Sequence, residues 1–593
     1  MKRLLICLWL LRGFLAAEPP ASNLIANISS RTTISLDGSW STIVDPYETG
    51  MGSRFYENAK PKDKSQLVEY SFDASQKLRV PGDWNSQRES LLFYEGPLWC
   101  QRYFSYHKRP NTRVLVYFGA ANYHARVWLN GKNIGEHTGG FTPFNFDASS
   151  EIAEGDNSIV VEVSNTRSKD GVPALNTDWW NYGGLTRTVA LVEVPDTFIQ
   201  DYSVQIAKGS ADRVAGWVQV EGKPSAPDVT IEIPEAQVKQ VVPLRADGRA
   251  VFSFPAKLTL WSPENPKLYR VIVSGGGDSV SDEIGFRSIE TRGTQIVLNG
   301  KPIFLRGISL HEEAPFRGGR GFSEEDDRTL LQWARDLGCN FVRLAHYPHN
   351  ESMIRMADRM GLLVWSEVPV YWGIAWQSPD ALENAEEQVR DMIARDHNRA
   401  AVILWSLSNE TPIVPGRTEF LKSLAAYARQ LDSTRLITSA MNHADSSVAG
   451  TRSLNDPLSQ ELDVLGWNEY LGWYEGRPED ADHLQWKTAD EKPLIISEFG
   501  AGAVYGKHGD ADTRFTEEYQ ANLFAHQIRM LKRIPSLAGM SPWVLMDFRS
   551  PRRPLPGIQD FYNRKGLISD RGQRKQAFYV LQKYYREVAE SGK

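Results

Sequence analysis

The chain has little cysteine and no long apolar run after its N-terminus, and each absence excludes a class of protein. Only 3 of its 593 residues are cysteine. Cys7 lies near the N-terminus, and Cys100 and Cys339 are too far apart to indicate a disulfide framework or a zinc-ligand cluster. Cys339, within LGCNFVRLA, is predicted to be a buried free thiol. Without a second long apolar run, no membrane partner is expected.

The charged residues lack a block of one sign. The 67 lysines and arginines are interspersed with 73 aspartates and glutamates, for a formal net charge of −6. Without a basic block, the sequence does not indicate a nucleic-acid partner or an anionic membrane surface. A P-loop and a GxSxG motif are also absent, so NTPase and serine hydrolase chemistry have no support.

The first residues have the pattern of a secretory signal. Lys2 and Arg3 precede an apolar stretch that ends in the small residues Ala16 and Ala17, with Arg12 as an interruption. The pattern predicts a cleaved signal peptide over residues 1–17. A periplasmic or secreted location follows from it.

The length and the changing strand pattern predict several domains, because 593 residues are too many for one hydrophobic core. Residues 24–195 alternate short strands with turn residues, including the hairpin pair Asn130–Gly131, and predict an all-β sandwich. Short strands continue over residues 196–290 and predict an immunoglobulin-like β-sandwich. From 291 to 593, eight apolar strands mostly separated by helix-length segments predict a (β/α)8 TIM barrel.

Polar and aromatic residues recur at the ends of the predicted barrel strands. The eight strands are predicted at 303–310, 341–347, 362–368, 402–410, 436–440, 463–470, 493–500 and 540–548. The residues at their ends are His311, Glu312, Glu313, Arg343, His346, Glu367, Asn409, Glu410, Asn468, Tyr470, Glu498, Trp543 and Asp547. Since TIM barrels carry their active sites at the carboxyl ends of the strands, a site is predicted there.

Glu410 and Glu498 each end a strongly apolar strand. Burying a carboxylate without a partner costs several kcal/mol, so this placement indicates a role. Strands four and seven lie across the barrel mouth from each other, and their carboxylates can converge on one bound group. Paired carboxylates in a pocket lined by tryptophan and tyrosine predict glycoside hydrolysis. A separation of about 5–5.5 Å gives retention and about 6.5–9.5 Å gives inversion.

A metal site is the weaker alternative for the same region. His311, His346 and His349 have acidic neighbours, but neither HxH nor HExxH spacing is present. His346 is better explained as a hydrogen-bonding residue of the site. No metal is therefore expected.

Several motifs carry a resemblance to a known family over the whole mature chain. They are SLDGSW (35–40), VPGDWN (80–85), WSPENPKLY (261–269), VRLAHYPH (342–349), WSLSNE (405–410), NEYLGWY (468–474) and ISEFGA (496–501). The chain resembles glycoside hydrolase family 2, and within it the β-glucuronidase branch. The resemblance implies an N-terminal jelly-roll sandwich over 24–195, exo-acting hydrolysis with retention, no cofactor, and an enzyme that can be a homo-oligomer.

The resemblance also implies roles for single residues. It assigns the general acid/base to Glu410 and the nucleophile to Glu498. Asn409 is expected at the sugar 2-hydroxyl, and Arg343 is expected to keep the nucleophile ionised. The other expected substrate-binding residues are Asp178, His346, Asn468, Tyr470, Tyr474, Trp543, Asn563 and Lys565.

The choice of sugar depends on the Asn-x-Lys spacing of Asn563 and Lys565, which in the family recognises the sugar carboxylate. A lysine ammonium facing a carboxylate forms a charge-assisted contact that a neutral galactoside cannot use. The arginine that often precedes this motif is absent, and Arg549, Arg552 and Arg553 are candidate replacements. The expected substrate is a β-glucuronide or related uronic-acid glycoside. A β-galacturonidase or β-galactosidase, and a non-catalytic carbohydrate-binding protein, are the alternatives.

Overall fold

A computed structural model describes residues 22–66, 69–223, 226–442, 444–445, 450–488 and 491–591. The predicted signal peptide, residues 1–17, lies outside these residues and stays a prediction. Cys100 and Cys339 are both free and buried, which confirms the prediction for Cys339.

The N-terminal domain is a sandwich of two antiparallel sheets. Its strands are β1 (Thr32–Ser35), β2 (Gly38–Val44), β3 (Gln76–Val80), β4 (Pro97–Tyr106), β5 (Thr112–Phe118), β6 (His124–Leu129), β7 (Lys132–Thr138), β8 (Phe144–Asp147), β9 (Gly155–Ser164) and β10 (Val189–Pro195), with one short helix, α1 (Trp84–Gln87). The sheet orders are β1-β10-β5-β8 and β3-β2-β4-β9-β6-β7. The predicted hairpin joins β6 to β7, and Asn130 and Gly131 have the positive φ values, 51° and 80°, that its turn requires.

The second domain is a smaller β-sandwich with its own apolar core. Its strands are β11 (Phe198–Ile206), β12 (Arg213–Glu221), β13 (Asp228–Ile233), β14 (Val238–Pro243), β15 (Arg249–Pro255), β16 (Leu268–Gly275) and β17 (Asp278–Gly285). They form sheets of order β11-β12-β15 and β14-β13-β16-β17. A three-stranded sheet of β18 (Ile289–Arg292), β19 (Gln295–Leu298) and β20 (Lys301–Ile303) leads into the third domain.

The third domain is a closed barrel of eight parallel strands. In chain order its elements are β21 (Leu305–Leu310), α2 (Glu324–Leu337), β22 (Phe341–Leu344), α3 (Glu351–Met360), β23 (Leu363–Glu367), α4 (Pro379–Asp396), β24 (Val402–Asn409), α5 (Arg417–Leu431), β25 (Leu436–Met441), β26 (Ala444–Asp445), β27 (Thr451–Leu454), β28 (Leu465–Asn468), β29 (Gln485–Thr488), β30 (Leu494–Glu498), α6 (Glu517–Leu531), β31 (Leu537–Met540), β32 (Phe548–Arg549), β33 (Tyr562–Asn563) and α7 (Gln576–Glu590). The barrel closes in the order β21-β22-β23-β24-β25-β28-β30-β31.

Short 3-10 helices complete the described secondary structure. They are Ile28–Ser30, Phe55–Glu57, Glu89–Leu91, Pro234–Ala236, Pro457–Glu461 and Pro478–His483. The last two replace α-helices after β25 and β28, where the sequence also lacks a long helical pattern.

Local sequence explains the barrel elements. Every residue of β24 is buried, because this strand faces the barrel interior on one side and the helices on the other. Helix α2 begins with a capping box, in which Ser323 and Asp326 each bond the other's main-chain N–H, and it ends at Gly338 with φ 97°.

The strand prediction was wrong at the eighth strand. The sequence predicts a strand over 540–548, whereas β31 ends at Met540. The apolar run MSPWVLMDF continues into buried loop structure, where Trp543 and Asp547 are 3% and 0% exposed. Burial alone therefore imitated a strand, and Trp543 and Asp547 lie beyond the strand end that the sequence assigned to them.

The N-terminal domain packs against the mouth of the barrel. Arg187 donates to Glu312 after β21 at 3.0 Å, and both side chains are buried. Tyr182 donates to Glu313 at 2.8 Å. These contacts bring the segment before β10 to the carboxyl ends of the barrel strands. None of the helices in the described residues is long and apolar enough to cross a membrane.

Candidate active site

Glu410 directly follows β24 and points to the centre of the mouth. Its carboxylate accepts hydrogen bonds from Trp372 Nε1 at 2.9 Å and from Asn468 Nδ2 at 3.0 Å. Burial, and then the negative charge of Glu498, raise the pKa of Glu410 above its ordinary value. A carboxyl group that holds its proton more firmly is suited to act as a general acid.

Glu498 ends β30 and is 4% exposed. Arg343 Nη1 donates to its Oε1 at 2.7 Å, and the Tyr470 hydroxyl donates to its Oε2 at 2.7 Å. Each carboxylate oxygen therefore has one donor, and one of the donors is a cation. These two bonds fix the orientation of the carboxylate, as a nucleophile requires.

Arg343 on β22 is fully buried and connects the two halves of the catalytic centre. Its Nη2 donates to Glu367 at 3.0 Å and to Asn409 Oδ1 at 2.7 Å. Burial raises the pKa of Glu367, but Arg343 and His346 outweigh it and lower that pKa to about 2. His346 Nδ1 lies 2.7 Å from Glu367. A permanent ion pair thus holds Arg343 against the nucleophile.

Asn409 and Asn468 lie side by side at the ends of β24 and β28. The Asn409 Oδ1 atom accepts from both Arg343 and Asn468 Nδ2, the latter at 3.2 Å. The Asn409 Nδ2 atom is buried and has no hydrogen-bond partner among the described residues, although its donors are available. This amide is positioned to donate to a ligand hydroxyl. Ser497 donates to Asn468 Oδ1 at 2.7 Å and fixes that amide.

A second group of residues lies on the segments after β31 and on the N-terminal domain. Asp178 is 6% exposed and reaches into the barrel mouth. It accepts from Ser550 Oγ at 2.5 Å, Arg553 Nε at 3.1 Å and Asn563 Nδ2 at 3.2 Å. One carboxylate of the jelly-roll domain therefore fixes three side chains of the barrel.

Lys565 is the cation at this end of the site. It is 3% exposed, its Nζ donates to the Tyr474 hydroxyl at 2.7 Å, and Nζ lies 5.3 Å from the centre of the Tyr470 ring. Within the described part of the chain, Lys565 forms no salt bridge with a carboxylate. Since buried charges are normally paired, this ammonium is available for an anionic ligand. Asn563 Oδ1 accepts the Lys565 main-chain N–H at 3.1 Å, so the two residues form one turn.

The sequence places Asp547 among the strand-end residues of the predicted site. In the structure Asp547 does not line the site but supports this turn from behind. It is fully buried and accepts the Gly566 N–H at 2.9 Å and Lys575 Nζ at 2.8 Å. Gln520 Nε2 donates to the main-chain oxygen of Lys565 at 3.3 Å. These contacts position Lys565 without touching a ligand.

Trp543 packs against two histidines at the barrel mouth. Its ring stacks on His346 at 4.8 Å and meets His311 edge-on at 5.2 Å. The three histidines of the metal alternative have separate partners. His346 binds Glu367, His311 Nδ1 lies 3.1 Å from the Tyr347 hydroxyl, and His349 Nε2 lies 3.1 Å from a main-chain oxygen. Among the described residues, no three ligand-type side chains form a group that could hold a metal ion.

The structure brings every catalytic and substrate-binding residue implied by the resemblance to the barrel mouth, in two groups. The catalytic group contains Arg343, His346, Asn409, Glu410, Asn468, Tyr470, Glu498 and Trp543, and the recognition group contains Asp178, Tyr474, Asn563 and Lys565. Tyr470 contacts both, through Glu498 and Lys565. The sequence analysis missed Trp372 and Ser550. Trp372 follows Glu367 by five residues in EVPVYW, and this position just after a strand end was an available indication.

Comparisons with known proteins agree with this arrangement. Residues 289–590 match the family model "Glycosyl hydrolases family 2, TIM barrel domain", residues 33–195 match its sugar binding domain, and residues 197–287 match "Glycosyl hydrolases family 2". The chain is 29% identical over 579 residues to the beta-glucuronidase of Rattus norvegicus, covering 86% of this chain and 85% of that protein. It is 28% identical over 633 residues to that of Canis lupus familiaris, covering 94% and 91%.

Solved structures show the same similarity. The beta-glucuronidase of Ruminococcus gnavus in complex with D-glucuronic acid is 26% identical, with a TM-score of 0.80 over 94% of this chain and 98% of that one. The beta-glucuronidase of Bifidobacterium dentium complexed with coumarin-3-O-glucuronide is 25% identical, with a TM-score of 0.82 over 94% and 97%. With three matched domains in the family's order and a paired-carboxylate site at the barrel mouth, the chain belongs to glycosyl hydrolase family 2.

Proposed function

We propose that this protein is an exo-acting, retaining β-glucuronidase that removes terminal β-D-glucuronosyl residues. The observation that carries the choice of sugar is Lys565, a buried ammonium without a carboxylate partner among the described residues, in one turn with Asn563. The acid pair Glu410 and Glu498 lies at the same mouth. Relatives named beta-glucuronidase and a solved complex with D-glucuronic acid support the same choice.

In the first step, the Glu498 carboxylate attacks the anomeric carbon and the glycosidic C–O bond breaks. Glu410 gives its proton to the departing oxygen, so the leaving group departs as a neutral alcohol. The raised pKa of Glu410 favours the protonated form that this step requires. Arg343 and Tyr470 hold the Glu498 carboxylate in a fixed orientation until the covalent bond forms.

In the second step, water enters where the leaving group stood. Formation of the glycosyl ester has removed the negative charge of Glu498, which had helped to raise the pKa of Glu410. Glu410 can then act as a base: it takes a proton from the water, which attacks the anomeric carbon and releases Glu498. Two inversions at one carbon give net retention.

The recognition group binds the far end of the sugar. Lys565 and Asn563 face the 6-carboxylate, and Asp178 accepts from a sugar hydroxyl while Arg553 limits its charge repulsion with the substrate. Asn409 Nδ2, which has no hydrogen-bond partner in the described part of the chain, donates to the 2-hydroxyl. The predicted signal peptide over 1–17 supports the further proposal that the enzyme acts in the periplasm or outside the cell.

A panel of p-nitrophenyl β-glucuronide, β-galacturonide and β-galactoside tests the proposal. We expect kcat/KM to be highest for the glucuronide, because an ammonium–carboxylate contact in an enclosed site favours it over a neutral sugar by about 100-fold. A higher value for the galactoside would reject the proposed sugar, and no turnover of any of the three would favour the non-catalytic alternative.

A further inference from the structure

Trp372 is held in an uncommon backbone conformation beside the catalytic acid. Its φ is 53°, and φ of Glu410 is 48°, both in the left-handed region that bulky residues rarely adopt. The Trp372 N–H donates to the Asn409 main-chain oxygen at 3.0 Å, and its indole Nε1 donates to Glu410 Oε2 at 2.9 Å. Such a conformation is energetically unfavourable and is concentrated at functional sites. The fold thus places this indole against the group that protonates the leaving oxygen.

Arg552 stacks on the same indole. Its guanidinium carbon lies 4.9 Å from the centre of the Trp372 ring, and the side chain is exposed. Its neighbour Arg553 bonds Asp178, and Arg564 is paired with Asp547 and Asp570. By contrast, Arg552 has no ion pair with any carboxylate of the described ranges. Its charge is therefore uncompensated where the indole meets Glu410.

We infer that Arg552 and Trp372 form a subsite for the leaving group and select leaving groups that carry an anion, a carboxylate or a sulfate. This inference rests on the proposed function, which makes Glu410 the acid that protonates the glycosidic oxygen. The leaving group is bonded to that oxygen and therefore lies next to Glu410. Residues that contact the Glu410 carboxylate consequently border the leaving group. Lys565 and Asn563 bind the opposite, carboxylate end of the sugar.

The geometry suits recognition of an anion. A guanidinium stacked on an aromatic ring retains the N–H groups along its edge for hydrogen bonds, and its planar fork matches a carboxylate or sulfate. The indole supplies a flat apolar surface for the ring of the leaving group. Arg552 thereby adds a second anion site, separate from Lys565.

The test compares matched leaving groups on the proposed sugar. One pair is 3-carboxy-4-nitrophenyl and 3-carbamoyl-4-nitrophenyl β-glucuronide, and a second pair is a glucuronosyl disaccharide with and without a sulfate on its reducing-end sugar. For Arg552→Gln we expect kcat/KM to fall about 5- to 10-fold on the anionic member and less than about 2-fold on the neutral one, with the difference reduced in 0.5 M NaCl. For each substrate, the ratio of kcat/KM between wild type and variant is independent of the intrinsic reactivity of the leaving group.

Arg549→Gln is the matched control, because Arg549 stacks on Tyr562 at 5.0 Å and does not contact Trp372 or Glu410. Its effect on the two members of a pair should be equal. Arg552→Lys should recover part of the preference.

An effect in either pair supports the subsite and shows whether the anion comes from a phenol or a sugar. Equal losses on anionic and neutral members in both pairs overturn it and place Arg552 at the glucuronosyl group. If the wild type prefers galactosides, the same pairs are made on galactose, so failure of the proposed sugar is seen separately.

Discussion

The two groups of residues at the barrel mouth differ in how the chain builds them. The catalytic group stands almost entirely on strand ends, with Arg343 on β22, Asn409 and Glu410 at the end of β24, and Glu498 on β30. The recognition group stands on the loop after β28, which carries Tyr474, on β33 and the turn that follows it, and on a residue of another domain, Asp178. Strand ends are rigid and serve chemistry that needs fixed geometry, whereas loops can change to suit a substrate.

The charges of the two groups differ as well. In the catalytic group, Arg343 has the carboxylates Glu367 and Glu498 as partners, so it is satisfied without substrate. In the recognition group, Lys565 has a tyrosine hydroxyl and aromatic rings instead. The first arrangement activates a residue of the protein, and the second is complete only when a ligand brings the opposite charge. Removal of a residue of the catalytic group should therefore lower the rate, whereas removal of a residue of the recognition group should change the selection of the sugar.

The largest expected effect is loss of the nucleophile. Glu498→Ala should lower kcat by about 10⁴-fold or more, because among the described residues Glu498 is the carboxylate that both Arg343 and Tyr470 bond. Sodium azide should restore product formation as the inverted α-glucuronosyl azide, detected by NMR. Glu410→Ala is the matched variant, and with azide it should give the β-azide. Near-normal activity of Glu498→Ala would show that the mechanism assigned here is wrong.

The next effect concerns selection of the sugar. Lys565→Ala should lower kcat/KM on p-nitrophenyl β-glucuronide about 100-fold, about 3 kcal/mol, because it removes a charge-assisted contact in an enclosed site. On the galactoside the loss should be less than about threefold. Tyr474→Phe, which keeps the ring and removes the hydroxyl bonded to Lys565, is the control and should affect the two sugars more evenly. Equal losses on both sugars for Lys565→Ala would remove the basis for carboxylate recognition.

The same division explains what the sequence could predict. Periodicity was enough for the three-domain fold, and the polar ends of buried strands such as ILWSLSNE were enough to find Glu410 and Glu498. The eighth strand was misplaced because MSPWVLMDF is buried without being a strand, so Asp547 was assigned to the site instead of to the turn behind Lys565. Asn563, Lys565 and Asp178 came from the family resemblance alone. Their meeting depends on contacts between distant segments, which no local pattern records.

A third prediction concerns the contact between the first domain and the barrel mouth. Burial raises the pKa of Glu313, which is bonded to Tyr182 across the domain interface, from 4.5 to about 7. The folded protein therefore binds this proton more tightly than the unfolded chain, so its contribution to stability is complete below pH 4.5 and is lost as pH rises to about 7. Urea unfolding of Glu313→Gln should show a smaller decline over this range, by at most about 3 kcal/mol. An unchanged slope would show that Glu313 does not titrate in this window.

The smallest effect returns to the catalytic group and to a residue that the sequence analysis missed. Trp372→Phe keeps the ring but removes the N–H that donates to Glu410. Since that hydrogen bond stabilises the carboxylate, its loss should raise the pKa of Glu410 further. The alkaline limb of the kcat/KM profile reports this acid in the free enzyme, so it should move up by about half a pH unit to one unit. A lower kcat/KM with an unmoved alkaline limb would show that Trp372 affects the shape of the site but not the pKa of Glu410. The catalytic group would then depend less on its neighbouring loops than the structure indicates.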